Sequence, residues 1–220
     1  MPVSWLETLI LKSAAEIELS GRAIFQFSGA LRESLRQKPV QEWENALWAR
    51  GLKTRLIRME GYFFRIGQGK RSCLSFFVRN ERGLHVGLRR EAITQAATYV
   101  TLVTDYGYAR KMTRFETGWM DVAVFDAAGK AFIYAENKAH EKTLQKLCAR
   151  LAGDFNEIPA AGPEDLQTDD ALMKAHHIWR HRPRYFWGVC PTSRLPYAVS
   201  FDRNGFRLLP VEAIPRTLEN

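Results

Sequence analysis

Apolar residues recur along this chain with two periods, and the change between them separates helices from strands. Leu6, Leu9, Ile10 and Ile17 share one helical face, and Ile24, Phe27, Leu31 and Leu35 share another. This spacing predicts helices over 2–19 and 22–37, split at Ser20-Gly21 and packed as a hairpin. Pro39 breaks the second helix, and a short third over 41–50 closes at Gly51. Segments 56–66 and 73–79 then read as strands joined through Gly67-Gln68-Gly69-Lys70-Arg71, with a turn at Gly83.

The second half of the chain changes pattern. A helix is expected over 89–104, a turn over 105–108 and a strand over 109–117. Two apolar strands follow, MDVAVF over 120–125 and AFIYAENK over 131–138. Leu144, Leu147, Cys148 and Leu151 mark a helix over 140–152 that stops at Gly153. A loop over 154–168 carries Pro159, Gly162 and Pro163, and a helix over 169–181 comes next. Strands over 185–190 and 197–202 lead into a turn at Arg203-Asn204-Gly205 and a last strand over 206–211. The expected fold class is α/β (α+β): a central mixed sheet flanked by helices, over 88–220, preceded by a helical and β-hairpin extension over 1–87.

Charged residues on the central hairpin give the pattern chemical content. Asp126-Ala127-Ala128-Gly129-Lys130 supplies a tight connection between the two apolar strands. Pairing Asp126 with Ala131 puts Asp121 opposite Glu136 on one face, and Lys138 joins that face through the two-residue strand repeat. Facing carboxylates repel unless a cation lies between them, and Mg2+ prefers such oxygen ligands. A lysine beside them can stabilise charge developing on a phosphate or orient an attacking water.

The run GWMDVAVFDAAGKAFIYAENK resembles the PD-(D/E)xK phosphodiesterase superfamily, the restriction-endonuclease-like nuclease fold. Its core comprises a helix, three antiparallel strands, a second helix and a further strand. The resemblance covers roughly Leu88 to Pro210 as a pattern, and Asp121, Glu136 and Lys138 as a motif. It implies a Mg2+-dependent nuclease, with Mn2+ as a substitute, acting on nucleic acid, DNA before RNA. It also implies a further acidic ligand on the first core helix, where Glu91 stands; Glu116 is the rival for that role. Two positions depart from the superfamily pattern: Met120 replaces the usual proline, and polar Asn137 lies between the Glu and the Lys. Gln145 stands where some exonuclease branches carry Gln-x-x-x-Tyr, but the partner position is Ala149.

Composition narrows the alternatives. The 220 residues include 32 Lys+Arg against 24 Asp+Glu, a formal charge of +8 that suits a phosphate-bearing partner. The three cysteines are well separated, so neither a disulfide framework nor a CxxC metal site is expected. With no signal-like start and no long apolar run, a cytoplasmic protein without membrane contact is expected. GQGK lacks P-loop spacing, which argues against an ATP site. His177 and His181 share a helical face, but no HExxH sequence accompanies them, so zinc hydrolysis is disfavoured. Basic and aromatic residues over 48–58 and 176–185 are candidate nucleic-acid contacts. The competing expectations are a non-catalytic nucleic-acid-binding or scaffold subunit with a nuclease-like fold, and a regulatory module in which the Asp-Glu-Lys set is a structural ion pair. A homodimer, or a protein partner docked on the N-terminal extension, is compatible with either class.

Overall fold

The computed structural model describes residues 4–67, 73–153, 170–203 and 205–216. Three helices open the chain: α1 (Trp5–Leu19), α2 (Phe27–Gln37) and α3 (Glu42–Lys53). Short strands β1 (Ile57–Glu60), β2 (Phe63–Ile66), β3 (Cys73–Ser75), β4 (Phe77–Arg79) and β5 (His85–Leu88) follow. The central part comprises α4 (Arg90–Thr104), β6 (Thr113–Thr117), β7 (Met120–Phe125), β8 (Ala131–Asn137) and α5 (Glu141–Gly153). The chain closes with α6 (Asp170–His181), β9 (Tyr185–Val189), β10 (Arg194–Phe201) and β11 (Phe206–Pro210). The protein is therefore α+β. Most of the predicted 67–71 link, the 154–168 loop and Asn204 lie outside the described residues.

Six strands form one mixed sheet in the order β11-β10-β9-β8-β7-β6. β8 and β9 run parallel, and every other neighbouring pair is antiparallel. That one parallel pairing requires a crossover between β8 and β9, and α5 and α6 lie within it. β8 is buried along its whole length, as expected for a strand covered on both faces. Val122, Val124, Ile133, Ala135 and Trp187 join one core with α4 and the N-terminal helices. Ala123, Tyr134 and Phe186 face a second core with Leu144, Leu147 and Ile178 from α5 and α6. Gly188 permits the close approach of α5, since a Cβ there would lie 2.9 Å from Leu144 Cδ1.

The structure corrects several sequence-based boundaries. Residues 56–66 form two strands, because Gly61, at φ 64°, turns the chain and pairs Ile57 with Ile66. Residues 73–79 likewise divide between two sheets, and β4 pairs with β5, a strand too short for its periodicity to register. Helix α2 starts at Phe27 rather than at 22: Ala23 bridges to His85, and Gln26 takes a left-handed φ of 56°. Residues 109–112 form a hydrogen-bonded turn ahead of β6.

The central hairpin also closes differently. Phe125, not Asp126, pairs with Ala131, and a bulge then restores the step, so that Val124 pairs with Ile133 and Val122 with Ala135. One step further along that ladder, Asp121 is level with Glu136. The bulge thus produces the expected alignment of the two carboxylates from a hairpin closure that was not expected.

The N-terminal helices fix the start of α4. Glu44 on α3 is fully buried, and its carboxylate receives both terminal nitrogens of Arg90, with Nη1 2.8 Å from Oε1. Thr94 Oγ1 donates to the same carboxylate at 2.7 Å, and Trp48 Nε1 donates to the Ile93 carbonyl at 2.9 Å. Removing one partner of a buried ion pair leaves an uncompensated charge, so Arg90→Ala is expected to cost about 3–5 kcal/mol in urea unfolding. Arg90→Ala combined with Glu44→Gln should recover part of that loss. A urea midpoint for Arg90→Ala equal to that of the parent would refute this anchor.

Candidate metal centre

Three elements deliver acidic side chains to one end of the sheet. Glu91 comes from the first turn of α4, Asp121 from the start of β7 and Glu136 from the end of β8. One carboxylate oxygen from each lies within 4.8 Å of the other two. Glu91 and Asp121 remain partly accessible, whereas Glu136 is 1 % exposed. Glu91, not Glu116, therefore joins the pair read from the strands. Glu116 sits near the end of β6 with a left-handed φ of 46°, outside this group.

Hydrogen bonds fix two of the carboxylates, Asp121 and Glu136. Asp121 Oδ1 accepts from Gln95 Nε2 at 2.6 Å, and Oδ2 accepts from the Asn137 backbone N–H at 2.6 Å. Asn137 is held in turn by Thr98 Oγ1, 2.6 Å from its Oδ1, and its Nδ2 is 3.3 Å from Asp121 Oδ2. The polar residue inside the Glu-x-Lys run thus supports the aspartate from the α4 side. Glu136 Oε1 receives Lys138 Nζ at 2.7 Å and Lys174 Nζ at 3.2 Å. Its other oxygen, Oε2, is buried without a hydrogen-bond partner. A buried, unmatched carboxylate oxygen beside two further carboxylates is the arrangement a hard cation satisfies.

Lys174, like Gln95 and Thr98, is a part of the site that the sequence did not reveal. From α6 it also reaches Asp170 Oδ1 at 3.0 Å and the Trp119 carbonyl at 2.9 Å. Asp170 in turn lies 3.6 Å from Lys138 Nζ. Its i, i+4 spacing from Asp170 was visible in sequence, but that pattern reads as an ordinary surface ion pair on a helix. Gln145, by contrast, is exposed on α5 and donates to Glu141 at 3.3 Å.

The histidines and basic tracts behave differently. His177 stacks on Tyr134 with ring centroids 5.1 Å apart, and His181 lies 4.3 Å from His177. Burial and the adjacent cations push His177 down to about 4. These rings pack on Tyr134 and on each other, and the three carboxylates form the one candidate metal group among the described residues. In the tract over 176–185, Arg182 covers Trp179 at 4.6 Å and Arg184 lies over Phe132 at 5.8 Å. In the tract over 48–58, Trp48 is fully buried and Arg50 pairs with Asp105.

Fully ionised, the group needs a counter-charge. Four carboxylates (Glu91, Asp121, Glu136, Asp170) against two ammonium groups (Lys138, Lys174) leave a formal charge of −4 + 2 = −2 when all are ionised. Burial, reinforced by Asp121, raises Glu136 to about 8 and Glu91 to about 7. Burial also raises Asp121, against the Asn137 hydrogen bond and the two lysines. Burial works against the charge on Lys138, but Glu136, Glu91 and Asp170 outweigh it and leave its pKa raised. The metal-free group therefore retains protons into the neutral range, shared among its members. A scan of the chain against protein-family models finds no match, and comparisons with curated proteins and with solved structures find none either.

Carboxyl groups with raised folded-state pKa values bind more protons in the folded state than unfolded. The metal-free protein should lose stability as pH rises from about 4.5, the ordinary glutamate value, to about 8, where Glu136 ionises. Glu136→Gln should flatten that decline, and Mg2+ or Mn2+ should oppose it by binding the ionised form. Urea midpoints across this range, with EDTA or Mn2+, measure both effects. A decline identical in Glu136→Gln and unaffected by Mn2+ would count against the site.

Proposed function

We propose that this chain is a metal-dependent nuclease of the PD-(D/E)xK type, hydrolysing phosphodiester bonds of nucleic acid, with DNA the first substrate to test. The observation that carries the reading is the meeting of Glu91, Asp121 and Glu136 within 4.8 Å, with Lys138 Nζ 2.7 Å from Glu136. Supporting it, a helix, three antiparallel strands, helices and a strand parallel to the third succeed one another in α4, β6–β8, α5–α6 and β9. The resemblance implies this succession with a single second helix; here both α5 and α6 precede the further strand, β9.

The three carboxylates would hold the divalent ion, Mg2+ or Mn2+, through oxygen ligands. When bound, the ion supplies Lewis-acid polarisation of the scissile phosphate and a more acidic water. Asp121 presents its oxygens in a fixed orientation because Gln95 and Asn137 donate to it from two sides. Lys138 is held as a cation beside Glu136, with its pKa raised by the surrounding carboxylates. Its role is to stabilise negative charge building on the phosphate oxygens as water adds and the ester oxygen departs.

A structural ion-pair reading has one observation in its favour: Glu136 Oε1 already meets two lysines. It leaves Glu136 Oε2 unmatched and gives no reason for Glu91 and Asp121 to gather at the same place. Labelled single-stranded, duplex and branched DNA and RNA, incubated with Mg2+, Mn2+ or EDTA, separate the readings. Asp121→Ala and Lys138→Ala should each lower metal-dependent cleavage by about 100-fold or more, while Glu116→Ala should leave it close to the parent. Cleavage that survives in EDTA, or in Asp121→Ala, would refute the assignment.

A further inference from the structure

We propose that Trp119 is a base-stacking platform at the mouth of the metal centre, and that the substrate presents an unpaired nucleobase there: a single strand, a frayed end or a flap. This rests on the nuclease reading and specifies its substrate class.

Trp119 is 45 % exposed although it stands only two residues before Asp121. Two residues of chain span at most about 7 Å, so its Cα lies no further than that from the Cα of Asp121. Its position is fixed by the site itself. Thr117 pairs with Met120, so Gly118 and Trp119 form the tip of the β6–β7 turn. Lys174 Nζ donates to the Trp119 carbonyl at 2.9 Å and contacts Glu136 at 3.2 Å. Gly118, at φ 63°, packs so tightly on α6 that a Cβ would lie 2.5 Å from His177 Cε1. One buried lysine thus fixes both a metal-site carboxylate and the backbone of an exposed indole.

Among the described residues, the other large exposed apolar side chains are Trp5, Leu19, Phe25, Val78 and Leu209, none of them on the turn that leads into Asp121. Trp179, the aromatic of the basic tract on α6, is covered by Arg182 at 4.6 Å. Trp119 therefore offers the chemistry that tract was expected to supply. A nucleobase suits such a surface, since every base has a π-face and the neighbouring centre is built to receive its phosphate. Bases inside a duplex already stack on both faces, so the partner must be unpaired or terminal.

The test is binding of fluorescently labelled single-stranded DNA, single-stranded RNA and relaxed, covalently closed duplex DNA circles in EDTA, so that nothing is cut. Trp119→Ala should weaken single-strand binding by about 5- to 100-fold, the range expected for losing one stacked base. Trp119→Phe should restore most of it, and binding to the closed circle, which has neither ends nor unpaired bases, should change much less. Replacing single bases of the oligonucleotide by abasic sites should, at one position, abolish the difference between the parent and Trp119→Ala. Equal loss for single strand and closed circle, or no loss for either, would overturn the proposal. Cleavage by the parent in Mg2+, measured in parallel, shows whether the nuclease reading stands when the stacking proposal fails.

Discussion

The gathering of three carboxylates, one of them buried and two half-buried, with an oxygen of each within 4.8 Å of the others, is the constraint around which this end of the molecule is organised. Both desolvation and mutual repulsion oppose it, and neither is relieved by packing. The protein answers with two lysines on Glu136 and hydrogen bonds on Asp121, and still leaves one buried oxygen of Glu136 unmatched. A set of groups that carries an excess of negative charge once all its members ionise, and holds protons in the meantime, is one a divalent ion can match.

Much of the remaining fold can be understood as support for that arrangement. The Glu44–Arg90 pair and the Trp48 hydrogen bond hold the first turn of α4 against the N-terminal helices. Glu91 is the next residue after Arg90, and Gln95 lies one turn further on, so the same contacts set the α4 side of the site. From the other layer, α6 contributes Lys174, and its His177 presses on the β6–β7 turn. The site is thus gripped between the two layers that cover the sheet. One continuous apolar core runs from α1 to the sheet face, which makes the N-terminal region a structural partner of the centre.

How far this was legible in the sequence depended on the range of the interactions involved. Asp121, Glu136 and Lys138 were readable because strand alternation is local and one hairpin brings all three together. The bulge that aligns them was not, since it depends on how the hairpin packs and leaves no residue signature in the five-residue connection. Glu91 came from the superfamily resemblance and not from any local pattern. Lys174, Gln95 and the Asn137–Thr98 support were missed because they act between elements distant in sequence, where a helix-surface lysine or a mid-helix glutamine looks ordinary. The divided strands at 56–66 and 73–79 failed for a related reason: strands of three or four residues carry too few alternating positions to reveal a turn between them.

The account stands or falls on whether a divalent ion occupies the carboxylate group. Crystals soaked in Mn2+ and measured for anomalous scattering give the most direct answer. The prediction is a peak among Glu91, Asp121 and Glu136, liganded by the Glu136 oxygen that has no protein partner and lost in Asp121→Asn. Well-ordered carboxylates with no peak between them, and both lysines still paired to Glu136, would show that the cluster is a structural ion-pair network and would contradict the central claim.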